Sequence, residues 1–328
     1  MYSKNTKVAI IGCGYWGTNI VKTLVSLKIK NIICYDKDHG NLKKIKERFK
    51  TVKLNYKIKD ILNNEEIKIV FVCVPTYLIY KYAKLILKNK KNVFLEKPVS
   101  TSSKKILELI KLSKFYNVKI MTGYIYLYNK YINYIKKQIT TKRLGKINYV
   151  ELNRKNYGPI RDDVSSLWDL ASHDLSIIKY FFSGKIKKAQ HLKSQITKKK
   201  NYDIYSINFS LNKILVNINV SWLYPEKIRQ ILVIGSKKIL MFDELNSKEP
   251  IKIFDVLKDY PSARTLPLFY FNPQKGIIIK KPIIPKFPKI SPLKDELDYC
   301  LKNILKGKKI LTDAKFAYSV SRDLKKFI

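Results

Sequence analysis

The chain has 328 residues, 46% of them hydrophobic, with 23 Tyr and 14 Phe, which is enough for two globular domains and argues against disorder. Its net charge of +41 comes from Lys spread end to end alongside an excess of Ile, Asn and Tyr, with no RNP, zinc-finger or helix-turn-helix signature, so we read it as coding bias over solvated faces and expect no specific nucleic-acid partner. No apolar run approaches the length of a membrane span, Val8 to Ile11 is too short for a secretory signal, and Cys13, Cys34, Cys73 and Cys300 form no CxxC or Cys/His cluster; the expectation is a cytoplasmic protein with free thiols and no metal.

Short β-branched runs and helical periods alternate through the first 123 residues. Val8 to Ile11 reads as a buried strand, and 15–28 as a helix with Ile20, Val21, Leu24 and Leu27 on one stripe. Strands follow at Ile32 to Tyr35, weakly at Val52 to Tyr56, then at Ile69 to Val74, Val93 to Leu95 and Val118 to Thr122. Helices fall around Leu42, Ile45 and Phe49, then over 78–89 and 102–116. Strands apolar on both faces and separated by helices predict a doubly wound parallel sheet, a Rossmann domain over 1–123.

From 124 to 328 the pattern changes to an α+β domain. A helix at 129–140 precedes alternating strands at 146–155, 203–211 and 214–221, with two more in 228–242 around Gly235-Ser236. In 203–211 the residues Tyr205, Ile207, Phe209 and Leu211 share one face. Strands with one polar face predict a large open sheet, mostly antiparallel. One helix over 166–182 interrupts them, and helices near 293–306 and 313–327 close the chain. Seven of the twelve Pro lie between 261 and 292, which predicts an extended arm.

Gly12-Cys13-Gly14-Tyr15-Trp16-Gly17 is a GxGxxG between the first strand and the first helix. Gly12 permits the tight turn, Gly14 lets the backbone approach a pyrophosphate, and Gly17 lets the helix pack on the strand. The helix start, at Tyr15 and Trp16, offers free N–H groups to phosphate. Asp36 ends the second strand 19 residues after Gly17, where a carboxylate accepts ribose hydroxyls and repels a 2′-phosphate; this favours NAD over NADP. Pro75 and Thr76, and Glu96-Lys97-Pro98, end later strands, on the edge where such sheets bind ligands. Lys97 there can donate to a substrate oxygen. Asp169 and His173 are four apart and face the same way on a helix.

In this order the motifs resemble the glucose–fructose oxidoreductase / inositol dehydrogenase / rhizopine-catabolism (Gfo/Idh/MocA) family over essentially the whole chain. Glu96-Lys97-Pro98 with Asp169-xxx-His173 is the specific part. Tyr157-Gly158-Pro159-Ile160-Arg161 through Trp168-Asp169 looks more like the branch of sugar dehydrogenases associated with surface-polysaccharide genes, some of which oxidise UDP-linked N-acetylamino sugars or their uronic acids. The resemblance implies Lys97, Asp169 and His173 as the catalytic group and a homodimer or homotetramer built through the C-terminal sheet. The chain departs from many relatives at Val164-Ser165-Ser166, at Ser172 and in the run Gly123-Tyr124-Ile125-Tyr126-Leu127-Tyr128.

The expectation is therefore hydride transfer between NAD and a secondary alcohol of a sugar. His173 would act as base, Lys97 would hold the same oxygen, and Asp169 would orient them. Arg154, Tyr157, Arg161 and Trp168 are the candidate substrate residues alongside Lys97 and His173, by charge for phosphate or carboxylate and by stacking on a sugar face. A free sugar or inositol is the alternative substrate. A non-catalytic NAD- and ligand-binding regulator is the alternative from another class, and the intact catalytic set argues against it.

Overall fold

The computed structural model describes residues 2–198, 200–256, 271–272, 276–277 and 281–328. Six strands form a parallel sheet: β1 (Lys7–Ile11), β2 (Asn31–Tyr35), β3 (Lys53–Asn55), β4 (Ile67–Val72), β5 (Asn92–Leu95) and β6 (Ile120–Thr122). Their order is β3-β2-β1-β4-β5-β6, so the progression of strands along the sheet reverses between β1 and β4. That switch point is where a dinucleotide binds in such sheets. The central strands are buried because helices cover both faces; Val8, Ala9 and Ile10 have no exposed surface. The helices are α1 (Tyr15–Ser26), α2 (His39–Arg48), α3 (Ile58–Asn63), α4 (Thr76–Lys88) and α5 (Ser103–Phe115).

The second sheet follows α6 (Lys130–Thr140) and has the order β13-β12-β11-β7-β10-β9-β8. Its strands are β7 (Ile147–Tyr157), β8 (Lys187–Ser194), β9 (Ile204–Leu211), β10 (Ile214–Ser221), β11 (Leu223–Gly235), β12 (Lys238–Asp243) and β13 (Ile251–Asp255). All neighbours run antiparallel except β7 and β10, which run parallel at the centre. Tyr205, Ile207, Phe209 and Leu211 are buried on one face, as their alternation predicts. β8, β13 and α3 escape the sequence reading. β8 is exposed along almost its whole length, so it has no apolar alternation to detect.

The expected helix over 166–182 is corrected by the structure. It opens as a wide π turn, Leu167–Ala171, and only then continues as α7 (Ser172–Phe181). Much of the expected proline arm, 257–270, 273–275 and 278–280, lies outside the described residues. In the described part, Ile283 pairs with Ile253 of β13. The helices α8 (Pro292–Ile304) and α9 (Ala314–Leu324) return to the parallel sheet, where α8 packs on α1, and α9 on α5 and β6.

Candidate active site

A cleft of about 750 Å³ lies beyond the carboxyl ends of β1, β4 and β5 and against the second sheet. Tyr15, Trp16, Pro75, Thr76, Glu96 and Lys97 line its Rossmann wall, and Arg154, Arg161, Asp169 and His173 its other wall. Sequence positions far apart thus meet in one cavity of the size that takes a small-molecule ligand.

The glycine loop has the form a dinucleotide needs. Gly12 has φ of +93°, and a Cβ there would lie 2.5 Å from the Cys73 carbonyl oxygen. A Cβ at Gly17 would lie 1.9 Å from the Gly12 oxygen. Gly14 is different, because a Cβ would meet nothing within 4 Å. The fold itself leaves that position free, and α1 starts there without a side-chain cap. An open backbone cradle at an uncapped helix N-terminus fits a pyrophosphate. Asp36 supports the loop directly: its carboxylate accepts from Cys13 N at 2.7 Å and from Asp38 N at 2.9 Å.

Lys97 reaches across the cleft to the π turn. Its Nζ donates to the Asp169 carbonyl at 2.8 Å and to Asp169 Oδ1 at 3.2 Å. Asp169 also accepts from Arg161 Nη1 at 3.3 Å and Trp222 Nε1 at 3.2 Å. Burial opposes ionisation of Asp169, but Lys97 and Arg161 outweigh it and hold the carboxyl below its usual range. Burial lowers the Lys97 pKa; Asp169 pulls it up and Arg161 pushes it down. His173 lies well below its ordinary 6.5, first through burial and then through the charges of Lys97, Arg154 and Arg229. Its imidazole is therefore neutral, and Nδ1 is buried with no hydrogen-bond partner among the described residues. The Tyr126 ring stands edge-on to it, centroids 5.1 Å apart.

Glu96 lies beneath this group. Burial raises its pKa to about 7, although Trp16 Nε1 donates to Oε1 and Lys97 is adjacent.

The remaining sequence candidates are placed differently. Trp168 is 5% exposed and belongs to the core, away from the cleft wall. Tyr157 is 78% exposed and also outside the cleft. Arg154 lines the cleft but is committed to a buried two-pronged pair with Asp174, at 2.7 and 2.9 Å to Oδ1. Arg161 is likewise held by Asp163, at 2.9 and 2.8 Å. Asp163 in turn accepts from Thr76 N at 3.0 Å. Asp163, Trp222, Tyr126, Asp174 and Arg229 are site residues that sequence reasoning missed.

Residues 6–124 match the family described as "Oxidoreductase family, NAD-binding Rossmann fold", and 132–241 match the "GFO/IDH/MocA C-terminal domain". The chain belongs to the Gfo/Idh/MocA family. Among its relatives is 2,7-anhydro-N-acetylneuraminate hydratase of Escherichia coli (strain K12), 23% identical over 57% of this chain and 49% of the relative. Another is myo-inositol 2-dehydrogenase of Thermotoga maritima, 22% identical over 55% of this chain and 56% of the relative. The matched stretch spans about half the length of those relatives. Among solved structures, UDP-N-acetylglucosamine 3-dehydrogenase GnnA from Acidithiobacillus ferrooxidans superimposes with a TM-score of 0.80 at 15% identity, covering 97% of this chain and 95% of that one. GenD2 from gentamicin A biosynthesis, in complex with NAD, gives 0.80 at 16% identity over 100% and 94%. Those likenesses show that the chain shares their fold over nearly its full length, and the match over 6–124 identifies the first domain as an NAD-binding Rossmann fold. Among the described residues no helix is long and apolar enough to cross a membrane, and no group of three or more His, Cys, Asp or Glu is placed to hold a metal.

Proposed function

We propose that this chain is a cytoplasmic NAD-dependent dehydrogenase that oxidises a secondary alcohol of a sugar, with a nucleotide-linked N-acetylamino sugar or its uronic acid as the substrate class. The observation that carries the reading is the meeting of Lys97, Asp169 and His173 in one cleft that has Tyr15 and Trp16 of the glycine-rich turn at its Rossmann wall. Residues 1–123 serve as the dinucleotide domain and 124–328 as the substrate and assembly domain, with subunits joined through the open sheet.

Gly12, Gly14, Tyr15, Trp16 and Gly17 hold the pyrophosphate, Pro75, Thr76 and Glu96 line the cofactor's reactive end, and Asp36 favours NAD by its charge. When bound, the dinucleotide supplies the hydride-accepting chemistry. The protein's part is acid–base and electrostatic. Neutral His173 takes the proton of the substrate hydroxyl. Charged Lys97 donates to the same oxygen and stabilises negative charge as it develops there. Asp169 is a positioning residue for Lys97: it fixes the ammonium by two contacts and keeps it protonated despite burial.

Lys97→Met and His173→Ala are each expected to lower turnover by ~100-fold or more with NAD affinity retained. Near-wild-type turnover in either variant contradicts the assignment. The similarity to myo-inositol 2-dehydrogenase favours a free cyclitol as a second reading. NADH formation with UDP-sugars, hexoses and inositols separates the two.

A further inference from the structure

Three arginines line the cleft, and two of them are already neutralised by carboxylates: Arg154 by Asp174, and Arg161 by Asp163 and Asp169. Arg229 has no such partner within ion-pair distance among the described residues. Its Nη1 donates to the carbonyls of Lys155 at 2.8 Å and Ile228 at 2.7 Å, and its Nη2 to Asn156 Oδ1 at 2.5 Å. These contacts fix the guanidinium plane and add no negative charge. A guanidinium has five N–H groups, so one on Nη2 and the one on Nε are left without an acceptor among the described residues. Glu244, which also lines the cleft, accepts instead from Tyr126 OH at 2.9 Å. Burial and the neighbouring charge of Arg154 work against the Arg229 cation and outweigh the pull of Tyr126, Asp174 and Glu244 in its favour. A half-buried, rigidly held cation without an ion-pair partner is costly unless a ligand pairs with it.

The position is informative too. Arg229 sits directly opposite Arg154 in the β7–β11 register. Arg154 Nη1 touches Tyr126 OH at 2.6 Å, and Tyr126 packs against His173. Just before Arg229 the register slips between Leu223 and Ile228, and this bulge carries exposed Lys227 to the same cleft. Bulges of this kind commonly re-aim side chains beside active sites.

We propose that Arg229, with Lys227 beside it, is the receptor for an anionic oxygen group, carboxylate or phosphate, on the sugar substrate, so that the cleft selects an anionic sugar over a neutral one. This rests on the dehydrogenase reading of the same cleft. Both candidate groups match the planar fork of an arginine.

The test uses the full chain loaded with NAD. NADH formation is followed with a UDP-hexosamine, the corresponding UDP-uronic acid, free glucuronate and free glucose. Binding of UDP and of glucuronate is measured separately by calorimetry. The wild type is expected to prefer anionic members, and Arg229→Gln to reduce the ratio of anionic to neutral kcat/KM by ~100-fold, mainly through KM, with Arg229→Lys intermediate. Dependence seen with glucuronate assigns the group to a ring carboxylate; dependence seen only with UDP compounds assigns it to the diphosphate. An unchanged ratio in both variants overturns the proposal. If no sugar is oxidised, the dehydrogenase reading fails while calorimetry still decides the receptor: UDP or glucuronate binding lost in Arg229→Gln supports it, and binding that is absent or unaffected overturns it.

Discussion

Glu96 supplies a prediction whose size can be worked out. Its carboxyl lies buried at the cleft floor with a pKa raised from 4.5 to about 7. Below about 4.5 it is protonated in both the folded and the unfolded chain and has no effect. Between about 4.5 and 7 the unfolded chain releases the proton and the folded chain keeps it, so stability falls as pH rises. Above that window the loss is constant. At about 1.4 kcal/mol for each pH unit, the loss is roughly 3 kcal/mol. Glu96→Gln keeps an oxygen for Trp16 Nε1 and removes the titration. The variant should match the wild type near pH 4.5 and exceed it by ~3 kcal/mol at pH 8, seen as a rise in Tm of roughly 5 °C. Urea denaturation of the cofactor-free chain, followed by fluorescence of the three tryptophans, gives the difference as a function of pH. Parallel stability curves for the two proteins would refute the reasoning.

The other predictions concern chemistry and fold. The pH profile of kcat/KM in the oxidising direction should be bell-shaped, because His173 must be neutral and Lys97 charged. The acid limb should fall well below 6.5 and the alkaline limb below 10.5, and an acid limb at or above 6.5 would contradict the buried, cation-flanked imidazole. Gly14→Ala should leave Tm unchanged, since the added Cβ meets no protein atom within 4 Å, yet weaken NAD binding by ~10-fold or more through close approach to the pyrophosphate; calorimetry with NAD decides it. Asp174→Asn should cost ~3–5 kcal/mol in urea denaturation by leaving Arg154 buried and uncompensated, and a loss under about 1 kcal/mol, as for an exposed pair, would show that the pair is not desolvated.

What could be read in the sequence lies within single elements that carry an apolar pattern or a motif. The glycine loop, Asp36 and the strand ends at Pro75 and Lys97 follow from local spacing, because in a parallel sheet every strand delivers its carboxyl end to the same edge. Contacts between elements carry no such signal. Trp222 reaches Asp169 from 53 positions away, and Asp163 meets Thr76 across 87. Two of the placements could have been foreseen. Arg154 and Tyr157 are three apart on one strand, so a period of two puts them on opposite faces. Trp168 precedes Asp169 in a helical turn, where adjacent side chains diverge, so one faces the core when the other faces the cleft. The π turn itself had no sequence mark, since its apolar positions read equally well as a regular helix.

That turn explains why the two walls of the cleft form one site. Lys97 comes from the parallel sheet and is received by both the carbonyl and the carboxylate of Asp169. Thr76, at the start of α4, is received by Asp163. Arg161 binds both acids at once, through Nη1 to Asp169 and through Nε and Nη2 to Asp163. The Lys97 and Thr76 ties cross from the first domain to the second, and the shared arginine makes their geometries interdependent. Because Asp163 and Asp169 expose only 14% and 17% of their side chains, salt screens these ties far less than surface pairs. On the proposed dehydrogenase reading, Arg161 would therefore serve as a positioning residue between the cofactor wall and the Lys97–Asp169–His173 group, which leaves Arg229 and Lys227 as the cleft cations without an ion-pair partner among the described residues.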